Sequence, residues 1–497
     1  MVTIPEVVAI MAPREHEDGE DPRPKTAQDN PKAIPATPPN EGTPKMTQEN
    51  SHEFFEYVKA QIADNNVAAL VTESEMIPLA GPGSVIAPPT YAPKEKGVKA
   101  PTFALSHSTP VPQRDDTGWY QQTQRDPETA SIRLAPQVIV DSVGSQSGRA
   151  EAALLDAGAP VPNPPGIFVG NPDEGIVDEE TPDDAVSLGS KTSDIPSDQS
   201  TLAAQQRVAL ANQISTWTTA HRQADAWIKF AQTPDGKQVW EGGALEDGTV
   251  VKDLIISANA ANGDLLYSLF PNSAVYGYWL SSGTARRHRM PRAYSSQVVG
   301  YAATPVVIGS TMMDESGGAS GSSQVTVKDH RLSTVKKGKK PSDVGFGPVP
   351  SSPEVRGFSC ELILQRATIS LAVLRQIRFE NTQRAHAAQT VLTLMAMLGH
   401  ALANQDGFYR SGCALVTTAN KWGWRRYDQG GMIEDFETPS TQTLKGALEI
   451  AIKEAADIGL EFRAPIQLVF SEAQETLIKE RVANEDEKQG ADKNDGE

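Results

Sequence analysis

The chain lacks several of the features that define whole protein classes. It has 2 cysteines in 497 residues, Cys360 and Cys413. That is too few, and too widely spaced, for a disulfide framework or a thiolate metal cluster, so both are read as buried thiols. No run of about 18 apolar residues exists to span a bilayer. The opening MVTIPEVVAIMAPREHEDGE has no basic leader and turns acidic where a signal peptide needs its cleavage site. The expectation is a cytoplasmic protein with no membrane partner. The 8 histidines are scattered, with no HExxH and no His/Cys pair at metal spacing. There is also no serine nucleophile elbow, no P-loop and no GxGxxG after a strand. Nothing in the text calls for an enzyme, a metal or a cofactor.

Positive charge is also scarce. With 63 acidic and 45 basic side chains the formal charge is −18, which at first sight argues against a nucleic-acid-binding protein. The deficit is local. Residues 1–200 carry −17 and residues 471–497 carry −5, whereas residues 201–470 carry +4. Residues 1–50 are rich in Pro, Glu, Asp, Asn and Thr and poor in apolar side chains, so they read as a disordered acidic arm. From Asp156 to Ser200 the text is Pro/Gly/Ser-rich, and Asn171–Asp184 holds 7 acids and no base, the signature of a solvated insertion. Residues 471–497 read as an acidic tail.

Between these segments residues 51–470 read as one domain. Helical spacing begins at His52, and Pro78–Pro101 reads as extended loop. A buried strand is expected at Ala135–Val140, a helix over Thr201–Gln232, and strands at Ala274–Leu280 and Tyr294–Ala302. In Thr304–Pro350 hydrophobicity collapses into Gly, Ser, Lys and Pro between two strand-like flanks, the pattern of a long excursion from a sheet. Alternation of Ile369, Leu371 and Val373 with Thr368, Ser370 and Ala372 predicts a strand. Two helices follow, over Gln383–Asn404 and Thr441–Ile458, with strands at Gly412–Thr418 and Pro465–Phe470. The class is α+β or α/β. His386 and His400 lie near a helical core stripe and read as structural.

The electropositive signal is concentrated. Residues 281–340 sum to +7 in clusters of different character. Ser281–Gln297 holds Arg286, Arg287, Arg289 and Arg292 without an acid, directly after VYGYWL. Guanidinium forks suit phosphate oxygens, and Ser295 and Ser296 add hydroxyl donors. Lys328–Pro341 supplies Lys336, Lys337, Lys339 and Lys340, point charges suited to phosphate and not to base reading. A third cluster, ANKWGWRRYDQ, interleaves Arg425 and Arg426 with Trp422, Trp424 and Tyr427. That pattern fits base stacking and fits equally a hairpin whose aromatics pack on the core.

At these residues the sequence resembles a known family. DSVGSQSGRAEAALL (Asp141–Leu155), LFPNSAVYGYWLSSGTARRHRMPRAYSSQVVGY (Leu269–Tyr301) and FYRSGCALV (Phe408–Val416) are similar, in order and character, to the type I-U (I-G) CRISPR backbone protein. That protein is a subunit of the repeat-associated "mysterious protein" (RAMP) superfamily, present in several copies in the Cascade surveillance complex. The resemblance implies an α+β fold: an RRM-like (ferredoxin-like) palm of antiparallel strands with packed helices, and a thumb-like insertion within Thr304–Pro350. It implies Ser145, Gln146 and Arg149 as guide contacts together with Arg286, Arg289, Arg292, Ser295 and Ser296. The implied partners are crRNA, target DNA, further copies of the chain in a head-to-tail filament, other Cascade subunits and a recruited helicase-nuclease. One departure is Ser147-Gly148, where Ala-Asn is expected. Related backbones in other CRISPR types cut RNA with a loop aspartate; Asp314 invites that comparison, but type I backbones are not known for cleavage and no catalytic role is assigned. The competing readings are a metal-dependent ribonuclease and a viral coat protein.

Overall fold

A computed structural model describes residues 50–91, 102–121, 133–170, 214–280, 289–308, 324–328, 331–335, 338–339 and 354–478. The acidic run Asn171–Asp184, residues 201–213, nearly all of the N-terminal arm and the tail beyond residue 478 lie outside the described residues.

Asn50 starts the first helix. Its side-chain oxygen accepts from the amides of His52 and Glu53 at 3.1 and 3.3 Å, satisfying two of the N–H groups that a helix start leaves open. Helix α1 (Ser51–Ala63) then buries Phe54, Phe55, Val58 and Ile62 as one stripe. After three residues the chain becomes β1 (Val67–Pro78).

Besides several strands of two or three residues, the chain forms β2 (Leu105–Pro110), β3 (Leu134–Asp141), β4 (Tyr278–Trp279), β5 (Arg289–Met290), β6 (Tyr294–Tyr301) and β7 (Thr304–Ile308), followed by β8 (Gln324–Lys328), β9 (Arg331–Val335), β10 (Glu354–Ser359), β11 (Leu362–Ser370), β12 (Phe408–Arg410), β13 (Cys413–Arg426) and β14 (Ile433–Phe436). The main sheet has the order β12-β13-β1-β11-β6-β3-β2, with β14 also paired to β13. Every pairing in it is antiparallel.

Helices α1, α2 (Val143–Asp156), α3 (Pro271–Tyr276), α4 (Thr382–Ala403) and α5 (Thr441–Asp457) share one core with the sheet. Leu70, Ala367, Ile369, Tyr294, Trp422 and Trp424 pack there with Val391, Leu392, Met395, Leu444 and Leu448. Each large side chain removed from water contributes about 1.5–3 kcal/mol, so this joint burial holds the helices to the strands. On the opposite face residues 111–121 cross the sheet. Trp119 covers Ala69 and Val71, while the Tyr120 amide and Arg366 Nε donate to the buried Glu73 carboxylate at 2.9 and 2.8 Å. The architecture is a mixed α/β one built on an antiparallel sheet. Among the described residues no helix is long and apolar enough to cross a membrane.

Strand β3 and helices α4 and α5 fall where periodicity places them, and Cys360 and Cys413 are both buried and free. The flanks of the excursion are strands: β7 and β10 pair with each other, and β8 and β9, between them in sequence, pair antiparallel. Five expectations need correction. No continuous helix covers residues 214–232; Ile214–Ser215 is a short strand and only Arg222–Ala224 and Ala226–Lys229 are helical. Local bonding explains this, because Ser215 Oγ accepts from the Trp217 amide and the Thr219 hydroxyl donates to the Ser215 carbonyl, competing with helix hydrogen bonds. Ala274–Tyr276 ends a helix, not a strand; Pro271 opens that helix and Gly277 closes it at φ 77°. Strand β11 stops at Ser370, whose hydroxyl accepts from the Val373 amide at 3.3 Å and caps a helical turn over Leu371–Leu374. The start of the acidic insertion is not solvated: Ile167–Val169 is fully buried and pairs with Ile214–Ser215 and Ile466–Leu468. Likewise residues 472–478 of the tail are helical, with Gln474 buried.

His400 of α4 has its Nδ1 hydrogen-bonded to the Tyr294 hydroxyl at 2.9 Å and packs edge-on to Trp422. Burial pushes its pKa from 6.5 down to about 4. Between those values the unfolded chain takes up a proton that the folded one refuses, so stability falls as pH drops through that window and flattens below it. We expect His400→Gln to shrink the stability lost between pH 7 and pH 4.5 by about 2–3 kcal/mol, measured by urea unfolding at both pH values; an unchanged difference contradicts this.

Candidate nucleic-acid interface

The basic segment begins where Gly277 turns the chain out of α3. A Cβ at this glycine would lie 2.7 Å from the Met290 carbonyl oxygen and 3.0 Å from the Arg292 amide, so two backbones cross here at a distance only glycine permits. Strands β4 and β5 pair as Tyr278 with Met290 and Trp279 with Arg289. The two-residue period places Tyr278 and Met290 in the core while Trp279 and Arg289 face outward. The Arg289 guanidinium lies 4.3 Å from the centre of the Trp279 ring, within cation–π range. Arg292 follows, exposed, and then the Ala293 amide donates to the Val275 carbonyl at 2.8 Å and fixes the stem to α3. In β6 Ser295 is exposed beside the exposed Thr368 of β11, whereas Ser296 points into the core.

Among the described residues Arg289 and Arg292 have no carboxylate at salt-bridge distance, although Arg149, Arg222, Arg366, Arg384 and Arg426 all do. The sequence reinforces the point, since no acidic residue occurs between Asp264 and Asp314. Behind this surface lies a buried ion pair. Arg222 donates through Nε and Nη2 to the two Glu151 oxygens at 2.7 and 2.5 Å, and through Nη1 to the Gly277 carbonyl at 2.7 Å. Burial drives the Glu151 carboxyl upward in pKa, opposed by Arg222, by Asn272 and, more weakly, by the charge of Arg292.

The Asp-Ser-Val-x-Ser-Gln-x-x-Arg motif is built inward. Ser142 caps α2 by accepting from the Ser145 amide. Gln146 donates to Asp141 at 2.6 Å and its oxygen accepts from Ser296 Oγ at 2.8 Å and Gln365 Nε2 at 2.6 Å. Arg149 donates to Asp141 and to the carbonyls of Phe408 and Tyr409, with its guanidinium over the Tyr409 ring. The motif therefore locks α2 to β3, β6, β11 and the edge strand β12.

Residues 70–305, the span containing this motif and the basic stem, match the family model described as CRISPR-associated protein GSU0053. Over that span the chain is similar to this CRISPR-associated family. A search of curated proteins returned no match. The family span takes in β1, α2, α3 and the β4–β5 stem and ends at the start of β7.

Within this CRISPR-associated framework the expected contact residues divide. Arg289, Arg292 and Ser295 are each exposed, and Ser145 is half-buried at the start of α2. Gln146 and Ser296, expected at the surface, are 3% and 0% exposed; their polar atoms bond each other inside the protein, so neither is a surface group. Arg149 is engaged by Asp141 and by two carbonyls. Trp422, read as either stacking or core, is core: it is 2% exposed and packs on His400, while Trp424 stacks on Phe436. Arg426 is paired with Asp64 and Asp428, and exposed Arg425 donates to the Gly431 carbonyl. Lys339 bridges to Val325. Arg286, Arg287, Lys336, Lys337, Lys340 and Asp314 lie outside the described residues. Among the described residues no group of three or more His, Cys, Asp or Glu is placed to hold a metal ion. Sequence reasoning missed Trp279, which its position opposite Arg289 in the stem singles out.

These placements predict unequal stability effects. Gln146→Ala removes the shared partner of Asp141, Ser296 and Gln365 and is expected to cost about 2–4 kcal/mol, whereas Arg289→Ala and Arg292→Ala stay within about 0.5 kcal/mol of the parent. Denaturant unfolding of the three variants checks this, and equal costs would count against the division.

Proposed function

We propose that this chain is the crRNA-binding backbone subunit of a type I-U (I-G) Cascade complex. The similarity of residues 70–305 to a CRISPR-associated family supports a role in CRISPR defence. The observation that carries the finer reading is the exposure of Trp279, Arg289, Arg292 and Ser295 within a stretch of sequence free of acids. Cations at a strand edge grip phosphate and sugar without reading sequence, and base pairing between guide and target DNA supplies the specificity. The excursion that leaves through β7 and returns through β10 is the element we assign as the thumb. Copies stack head to tail along the guide, a heterologous contact whose length the RNA sets. The complex includes other Cascade subunits, and a recruited helicase-nuclease performs cleavage, so the backbone binds and does not cut.

Replacing Arg289 and Arg292 together with Glu is expected to remove guide RNA from the purified complex while leaving the melting temperature within about 2 °C of the parent. Undiminished RNA in the variant complex would sink the assignment. Incubation of the assembled parent complex with complementary RNA and Mg²⁺ is expected to leave that RNA intact, and discrete cleavage products would favour a ribonuclease instead.

A further inference from the structure

The chain has 7 tryptophans, at positions 119, 217, 227, 240, 279, 422 and 424. Trp119, Trp217, Trp422 and Trp424 are 3% exposed or less, and Trp227 and Trp240 are half-buried. Trp279 alone among them is exposed, at 55%. A single surface aromatic is ordinarily unremarkable, but three observations set this one apart. Its support is rigid: Tyr278 and Met290 on the inner side of the same stem are 7% and 4% exposed, all of α3 behind it is buried, and Gly277 leaves no room for a side chain at the crossing. Its ring is oriented, because the Arg289 guanidinium lies 4.3 Å from its centre and takes one face. Its neighbours Arg289 and Arg292 are exposed cations without a carboxylate partner among the described residues.

We infer that Trp279 is a stacking platform for one unpaired nucleobase, a proposal that rests on the RNA-binding reading above and names the group bound. An exposed, preoriented indole beside uncompensated cations meets both demands of a single strand, a π-face for a base and positive charge for the adjoining phosphates. The stack is tolerant of sequence, since every base has a π-face. It differs from phosphate binding in its salt response. Removing the indole deletes no charge, so affinity falls without altering the dependence on salt, whereas each lost phosphate contact lowers the slope of log K against log salt by roughly 0.7.

The test uses the full chain and a fluorescently labelled single-stranded 20-mer oligoribonucleotide, with affinity followed by anisotropy at several salt concentrations. Trp279→Ala is expected to weaken binding about tenfold with the salt slope unchanged, and Arg292→Gln to lower the slope. Trp279→Phe keeps a π-face and is expected to bind nearly as the parent does. Because Trp279 is the exposed indole, the parent's long-wavelength tryptophan emission is expected to be quenched by unlabelled RNA, and Trp279→Phe to abolish that quenching. Parental affinity in Trp279→Ala, or quenching that persists in Trp279→Phe, overturns the platform. If in addition the Arg289/Arg292 double Glu variant binds RNA as the parent does, the RNA-binding reading itself has failed, and a protein partner for this surface takes its place.

Discussion

The buried Glu151–Arg222 ion pair ties together the elements that present the basic surface. A carboxylate and a guanidinium in the same apolar interior are tolerable only when their geometry and remaining hydrogen bonds are satisfied. Here Arg222 meets both Glu151 oxygens and then the Gly277 carbonyl, while Asn272 donates to Glu151 and to the Thr216 carbonyl. The pair thus joins α2, the segment around Arg222, α3 and the point where the chain turns outward. Arg222 adopts φ 53° to do so, a conformation few L-residues take up without compensation. Moving Gly277 would leave a buried donor unsatisfied, so the stem carrying Trp279 and Arg289 inherits its position from this pair.

Arginines in this protein serve two separate purposes. Arg149, Arg222, Arg366 and Arg426 are structural: the first three each meet a buried carboxylate and at least one backbone carbonyl, Arg426 meets Asp64 and Asp428, and each joins segments distant in sequence. Arg289 and Arg292 are outward and uncompensated among the described residues. The overall charge of −18 therefore says little about the surface that matters, because screening limits the reach of distant acids to about 10 Å and the local stretch contains none.

The same separation explains why the Asp-Ser-Val-x-Ser-Gln-x-x-Arg motif is turned inward. Asp141, Gln146 and Arg149 hold α2 against three strands and the sheet edge, and Gln146 shares its oxygen between Ser296 and Gln365. A satisfied polar network in a low-dielectric interior specifies one arrangement of helix on sheet, and that arrangement places Ser295, one residue from Ser296, on the outer face beside Thr368.

What the sequence determined by itself were the long periodic elements and the location of the charge. α4 and α5 carry uninterrupted helical stripes, β3 a short buried run, and Ser281–Gln297 its arginines without acids; these signals are local and need no partner to be read. Tertiary structure decided which of the marked residues are accessible. Ser295 and Ser296 are adjacent and chemically alike, yet strand pleat puts one in water and one in the core. Trp422 and Trp279 sit beside cations in similar text, yet Trp422 faces α4 from β13 while Trp279, on a two-residue strand, is 55% exposed. The failed expectations have a different cause: over Ile214–Gln232 and Ala274–Leu280 the hydrophobic period is ambiguous, and hydroxyl bonds two to four residues long, a proline and a left-handed glycine, local features that periodicity does not register, settled them.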